Sequence, residues 1–324
     1  MRYCTCIGID THSKKNVVCA LDQQTGEIRE KSFSSDPEQI VEWIKQNNFA
    51  QPIGCVYESG PCGFNLARYL NESGICRCLV AATSKIAYPN DGQKNDKKDA
   101  KFLAKELSAW KIHPVHIPTV EEESICRLSK LRGEVVREVK RAKQRVTSYL
   151  LLTSTPYTQT KRYWTKRFEK WAVGVSLKTP TDTFIFREKL AEVFRQTQRL
   201  SRIEDEIDDT IRSNPMLQQK MERLLLIHGI GRVTAFSFIS EIYDFERFRN
   251  GAAFANFLGL VPTEHSSGKK IAHGSITKKG NSNLRSLLIE VSNNYSKRQI
   301  NIARIRESNM PSEIVQKAEK CTTG

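Results

Sequence analysis

Apolar residues follow two different periods along this 324-residue chain, and the change of period divides it. Up to about residue 110 they come in short runs bounded by polar turns, alternating with stretches of helical spacing. Strands are predicted at 3–10, 15–21 and 27–33, the last two joined by Asp22-Gln23-Gln24-Thr25-Gly26, a polar turn of hairpin type. A helix is predicted from Pro37 to about Gln46, because Ser35-Asp36-Pro37-Glu38 supplies a cap, an early proline and a glutamate placed to reach back. Strand 53–58, helix 62–72, strand 76–81 and helix 96–109 complete the series.

Beyond it the period becomes helical. Thr119-Val120-Glu121-Glu122 reads as a capping box. Leu128, Val135, Val139, Ala142, Val146 and Leu150 then keep one face to about Leu151. Residues 152–183 read as irregular. A second long helix is predicted from Thr183 to Arg212, with Phe186, Leu190, Val193, Leu200, Ile203, Ile207 and Ile211 at roughly heptad spacing. That stripe suits either a coiled-coil arm between chains or an intramolecular hairpin with 121–151. Leu224 to Ile242 reads as helix, glycine turn and helix around Gly229 and Gly231, a helix-hairpin-helix-like turn. Backbone N–H groups of such a turn can receive a phosphate, although plain helix–helix turns use the same residues.

Three early antiparallel strands followed by βαβα give the order of a ribonuclease-H-like sheet. The predicted fold class is therefore an α/β N-terminal domain of ribonuclease-H-like type, then long coiled-coil-like helices, then a mainly α C-terminal domain. The expected boundaries are 1–118, 119–215 and 216–324.

Charge sharpens this division. The net charge is +15, yet residues 1–100 hold 12 basic and 12 acidic side chains, so the whole excess lies further on. From Arg127 to Lys170 there are 13 Lys and Arg against three acids. Such a field points to a polyanion held partly by counterion release. Arg137, Lys140, Arg141, Lys143 and Arg145 fit a helix that tracks a nucleic-acid backbone; a solvated helix face is the plainer reading. Lys161, Arg162, Lys166 and Arg167 alternate with Tyr157, Tyr163, Trp164, Phe168 and Trp171, a mixture that can stack bases or simply pack. The nine cysteines include no C-x-x-C pair, and Cys4/Cys6 and Cys76/Cys78 alternate as small strand hydrophobes do. With no 18-residue apolar stretch, no membrane span is expected, and the location expected is a reducing cytoplasm.

The candidate chemistry lies in four acids. Asp10 closes the apolar run Cys4–Ile9, Glu58 closes Ile53–Tyr57, and Asp96 and Asp99 stand three apart at a helix start, on one face. Carboxylates are the hard oxygen ligands that Mg²⁺ prefers, and two such ions can clamp the attacking and leaving oxygens of a phosphodiester. Downstream, Ser266-Ser267-Gly268-Lys269-Lys270 and Gly274-Ser275-Ile276-Thr277-Lys278-Lys279-Gly280 form a loop rich in Gly, Ser and Lys. It reads either as surface or as the carrier of a serine nucleophile.

Ile7-Gly8-Ile9-Asp10, Tyr57-Glu58 and Asp96-Lys97-Lys98-Asp99-Ala100 together resemble the DEDD transposases of bacterial insertion sequences. The same holds for Ile227-His228-Gly229-Ile230-Gly231, Gly259-Leu260-x-Pro262, Ser267-Gly268 and Gly274-x-Ile276-x-Lys278-x-Gly280-Asn281-x-x-Leu284-Arg285. These are recombinases guided by a structured bridge RNA, and the resemblance spans residues 5–295. It implies a RuvC-like domain that binds Mg²⁺ through Asp10, Glu58, Asp96 and Asp99, and a C-terminal domain whose Ser267, or its neighbour Ser266, attacks the scissile phosphate. It implies a covalent phosphoserine–DNA intermediate. It also implies donor and target DNA and a structured non-coding RNA as partners, and a dimer or tetramer in which one protomer's acids meet another's serine. Lys269, Lys270, Lys278, Lys279, Gly229 and Gly231 would then join the basic helix in holding nucleic acid. After Tyr295 the chain departs from the family's basic helical ending, with Met310-Pro311 interrupting it.

Three other functions fit parts of the sequence. An actin-like ATPase opens with Gly-Ile-Asp-Thr but needs a second related sheet, and the basic helices leave no room for one. A RuvC-like nuclease using water would need the four acids and not Ser267. A non-catalytic nucleic-acid-binding protein would leave the strand-end acids costly and unused.

Overall fold

The computed structural model describes residues 2–86, 88, 95–264, 273–295, 311–314 and 316. It divides into two compact units, Met1–Thr119 and Val120–Gly324.

The first unit is a five-stranded sheet covered on both faces. Its strands are β1 (Thr5–Thr11), β2 (Lys15–Asp22), β3 (Ile28–Ser34), β4 (Ile53–Glu58) and β5 (Cys76–Ala81), in the order β3-β2-β1-β4-β5. The β1, β2 and β3 strands run antiparallel, and β4 and β5 join them parallel to β1. Alternation decides which residues each face buries. Ile7 and Ile9 of β1, Tyr57 of β4 and Cys78 and Val80 of β5 pack with Ile40 and Ile44 of α1 (Pro37–Gln46) and Leu70 of α2 (Asn65–Glu72). The opposite face offers Cys6, Val17, Cys19 and Val56 to Ala100, Leu103 and Leu107 of α3 (Asp96–Ser108). Asp36 caps α1 by accepting from Glu38 N, and Asn95 caps α3 by accepting from Lys97 N. The second helix is shorter than the spacing predicts, because Gly63 takes φ +68° and holds the chain in a turn before Asn65. Cysteines 6, 19, 55, 76 and 78 are buried in this unit as small hydrophobes, in keeping with their alternation.

The second unit is mostly helical. Its two long helices, α4 (Val120–Leu152) and α6 (Pro180–Ser213), pack along their length. Val135 and Val139 meet Ile203, Ile207 and Ile211 towards one end, while Val146 and Leu150 meet Phe186, Leu190 and Val193 towards the other. The heptad-like stripe of α6 is thus spent inside the chain, as a helical hairpin. Arg132 bonds Glu204 and Arg199 bonds Glu138 across the seam. The stretch expected to be irregular between the two contains a helix, α5 (Lys166–Gly174), capped by Thr165. Only nine residues long, it has too few turns to establish a period in the sequence.

A turn then leads through α7 (Pro215–Leu225) to α8 (Arg232–Ile242), whose Ala235, Phe236 and Ile239 complete the core around Ile125 and Met221. The remaining elements are α9 (Gly251–Phe257), a two-stranded antiparallel pair β6 (Pro262–Glu264) and β7 (His273–Ile276), and α10 (Ser282–Tyr295). Among the described residues no helix is long and apolar enough to cross a membrane.

Candidate metal centre and basic surface

Asp10 and Glu58 are placed by register. Ile9 pairs with Tyr57 across the parallel strands, so the next residue on each is an acid at the carboxyl end of neighbouring strands. Both acids share parity with Cys6 and Val56, and therefore lie on the face that α3 covers. On one side of β1 the chain continues into β2, and on the other it returns through β4. Such a switch point is where open α/β sheets bind ligands.

Gly8 sets the third and fourth acids. A Cβ there would lie 2.0 Å from Ala100 O and 2.5 Å from Ala104 N. Only a glycine lets the backbone of α3 lie directly on β1, which brings the first helical turn, with Asp96 and Asp99, to the end of that strand. Acids in a helix's first turn are also favoured by its dipole.

The structure brings Asp10, His12 and Asp96 closest: one ligand atom from each lies within 4.8 Å of the others. His12 Nε2 donates to Asp10 Oδ2 at 3.1 Å and lies 3.8 Å from Asp96 Oδ1. Lys15 Nζ donates to Asp96 Oδ2 at 2.5 Å. Glu58 and Asp99 stand outside this tight group, Asp99 near enough for its charge to act on Asp10. Burial pushes the Asp10 carboxyl above the usual carboxylate range, and the charges of Asp96 and Asp99 push it further, against the pull of His12. Asp96 is held low, mainly by the Lys15 hydrogen bond. The Tyr88 hydroxyl is driven well up, first by burial, then by its hydrogen bond to Glu58 and by the charges of Asp99 and Asp10. Tyr88 therefore senses three of the four acids at once.

A divalent cation fits this donor set. Glu58 Oε1 is buried without a hydrogen-bond partner, an arrangement that is costly unless something positive meets it. Asp10 is uncomfortable as an anion where it stands, and among the described residues His12 and Lys15 are the positive or proton-donating groups that contact Asp10 and Asp96. A cleft of about 670 Å³ opens beside Asp10 and Glu58, lined further by His12, Asn16, Ser59 and Asn65.

Of these residues, sequence reading missed His12, Lys15 and Tyr88, and it met Gly8 only as part of a motif. His12 was legible: it stands two residues after Asp10, which in a strand means the same face. Lys15 and Tyr88 carry no comparable signal.

Arg137, Lys140, Arg141 and Arg145 are exposed on α4, whereas Lys143 is half-buried over the Trp164 ring at 5.2 Å. Arg141 and Arg145, with Gln144, Ser148, Tyr149 and Lys189, line a cleft of about 420 Å³ along the α4–α6 hairpin. Lys161, Arg162, Lys166 and Arg167 are exposed too, and Arg167 Nε donates to Gln159. Of the aromatics between them, Tyr157 and Phe168 are buried and Trp164 and Trp171 pack on Phe168, so these four build the local core; Tyr163 is more exposed. Aromatic faces engaged in that way are not available to bases.

In the turn before α8, Gly229 takes φ +83° and Gly231 is the N-cap, with no side-chain cap bond. Lys278 and Lys279 are exposed. Their loop is tied to α9: Lys278 N donates to Gly259 O, and Gly259 and Gly280 lie so close that a Cβ on either would strike backbone at 2.6 and 2.2 Å. Asn281 Nδ2 donates to Glu241 and Arg285 to Leu258 O. Gly259, Gly280, Asn281 and Arg285 of this motif thus act as a scaffold. Ser266, Ser267, Lys269 and Lys270 lie outside the described residues, between β6 and β7.

Two family models match parts of the chain. A DEDD transposase model matches residues 7–155, and the model of the IS116/IS110/IS902 transposase family matches residues 221–307. Curated relatives include a putative transposase, y4qE, of Sinorhizobium fredii, 28% identical over 89% of this chain and 71% of its own length. The transposase of insertion element IS1533 from Leptospira borgpetersenii is 28% identical over 76% of this chain and 71% of its own. A probable family 20 transposase of Pseudomonas aeruginosa is 27% identical over 87% and 78%. Two matched segments in sequence order, spanning more than two thirds of the chain, and transposases among its relatives lead to one assignment: the chain belongs to the IS110/IS116 family of DEDD transposases, enzymes that cut and rejoin DNA.

Proposed function

We propose that this transposase cuts DNA at a Mg²⁺ site formed by Asp10, Glu58, Asp96 and Asp99, with Ser267 as nucleophile and a structured non-coding RNA choosing the donor and target sites. The observation that carries the reading is that two strand-end acids and the first turn of α3 share one face of the sheet, with Asp10, His12 and Asp96 drawn together and a Glu58 oxygen buried without a partner beside them. The order β3-β2-β1-β4-β5 supports a ribonuclease-H-like domain.

When bound, the ion would neutralise charge on the scissile phosphate and polarise it towards attack. Asp10 and Asp96 would be its inner ligands. Glu58 and Asp99, placed further out, would reach it directly or through water. The chain's own residues set the rest. Lys15 orients Asp96 by holding its second oxygen. In the step drawn from the family resemblance, the Ser267 oxygen bonds to phosphorus and the bridging oxygen leaves, taking up a proton. The covalent phosphoserine keeps the bond energy, so that a hydroxyl of another strand can reverse the step and rejoin DNA. The exposed cations of α4 and of 161–167 supply a surface for the nucleic-acid backbone. A dimer or tetramer lets one protomer's acids serve another's serine.

The test is a denaturing gel of the full-length protein with its element-end DNA, guide RNA and Mg²⁺. A covalent protein–DNA band is expected, absent in Ser267→Ala and absent in Asp10→Asn. A band that persists in Ser267→Ala moves the nucleophile to Ser266 or elsewhere. Cleavage without any band favours a water-using nuclease, and wild-type cleavage by Asp10→Asn removes the metal site from the reaction.

A further inference from the structure

The geometry points to His12 as a nitrogen ligand of the divalent ion held by Asp10 and Asp96, a donor that raises the site's affinity for Mn²⁺ above that of the four oxygen ligands alone. This rests on the metal reading above and adds to it a ligand that is not one of the four acids.

His12 lies two residues beyond Asp10 and so projects on the same side of the chain. Its backbone N–H donates to Lys15 O at 2.9 Å, which closes the β1–β2 turn and fixes where the imidazole starts. The ring reaches both inner carboxylates, Nε2 standing 3.1 Å from Asp10 Oδ2 and 3.8 Å from Asp96 Oδ1. Ligands about 2.1 Å from an octahedral ion are separated by roughly 3.0 Å along an edge and roughly 4.2 Å across. The two observed separations fall within that span, so an ion could enter among the three atoms with small adjustments. Lys15 holds Oδ2 of Asp96, which leaves Oδ1 as the oxygen nearer the ring. Such outer contacts commonly fix a ligand's orientation.

The chemistry follows from the donor. Mg²⁺ favours oxygen ligands and keeps its waters, whereas a neutral imidazole gains most from transition ions. A simpler role for His12 is that of a hydrogen-bond donor to Asp10, with no bond to the ion. The two roles make opposite predictions for a nitrogen signal at the metal.

Full-length protein loaded with Mn²⁺ would be examined by pulsed electron paramagnetic resonance, which detects a directly bonded ¹⁴N. The spectrum should show that coupling in wild type and lose it in His12→Gln, a variant that retains a donor for Asp10. In parallel, Mn²⁺ and Mg²⁺ affinities would be measured by titration. His12→Gln should weaken Mn²⁺ about tenfold or more, the scale on which ligand-shell changes act, and change Mg²⁺ far less. Mn²⁺ binding that Asp10→Asn abolishes but that carries no nitrogen coupling overturns the proposal and leaves the acid site standing. Failure of wild type to bind either ion removes both readings.

Discussion

Replacing Gly8 with alanine tests how the four acids are brought together. The new Cβ would lie 2.0 Å from Ala100 O, 2.5 Å from Ala104 N and 3.0 Å from Leu103 Cβ. Ordinary contact between such atoms begins near 3.5 Å, so α3 has to retreat from β1 by roughly 1–1.5 Å. Two of the three atoms belong to helix backbone and cannot swing aside. Overpacking of this kind costs about 1–3 kcal/mol. For a unit the size of Met1–Thr119 each kcal/mol lowers the melting temperature by roughly 4–8 °C, so a fall of about 5–20 °C is expected in that unit's transition. The same retreat carries Asp96 and Asp99 away from Asp10 by far more than the ~0.2 Å within which metal–ligand distances are held. Thermal unfolding with and without Mn²⁺ or Mg²⁺ reads both effects: Gly8→Ala should melt earlier and lose most of the rise that the ion gives wild type. Gly54→Ala is the control. Its Cβ would strike the Tyr3 ring at 2.5 Å, a side chain at the other end of the strands, so it should lower stability and leave the metal-induced rise intact. An unchanged metal response in Gly8→Ala would refute the idea that close packing of α3 assembles the site.

Two further outcomes follow from charge. Asp10 has its proton affinity raised on folding, so its ionised form weighs against the folded state: its contribution is favourable below the unfolded carboxylate pKa, near 3.9, and is lost as pH rises through the higher folded value. Without divalent ions, Asp10→Asn should therefore melt above wild type at neutral pH, with the gap closing as pH falls towards 4; an equal or lower melting point at pH 7 contradicts the burial argument. Converting Arg137, Lys140, Arg141 and Arg145 of α4 to glutamine should weaken nucleic-acid binding and flatten the plot of log affinity against log salt, by about 0.7–0.9 for each phosphate no longer neutralised; an unchanged slope places the binding surface elsewhere.

The sheet was legible because its strands are short and bounded by polar turns, and because each buries one parity. The runs ending at Asp10 and Glu58 announced both the strand and its edge, and Ser35-Asp36-Pro37-Glu38 announced α1. The helix α5 was not legible: nine residues flanked by turns carry too little periodicity, and its aromatics, read beside Lys161 and Arg167, fitted base stacking and packing alike. Packing decided otherwise, since burying Phe168 and Tyr157 gives the α4–α6 hairpin the core that closes it. The same reasoning resolves the α6 stripe. A heptad pattern specifies that a face is buried and is silent about the partner, and a facing helix of nearly equal length in the same chain supplies one.

Site chemistry was legible to the extent that it depends on which atoms are present, and illegible where it depends on distance. Four acids at strand ends and a helix start imply oxygen ligands whatever the details. Nothing in their identities says that Asp10 and Asp96 form an inner pair while Glu58 and Asp99 stand further back. That asymmetry comes from Gly8, which lets α3 approach at Ala100 and Ala104, and from Lys15, which anchors Asp96 by its far oxygen. The consequence is that Asp10 and Asp96, the inner ligands of the proposed centre, are already held by the protein's own donors, His12 and Lys15. On the proposed metal reading, entry of an ion would displace or recruit them: an ion that bonds the imidazole would turn His12 from a competitor into a ligand, whereas one that does not would compete with it for Asp10. On that reading, a single residue in the β1–β2 turn would thereby tune how tightly the site holds one divalent ion relative to another.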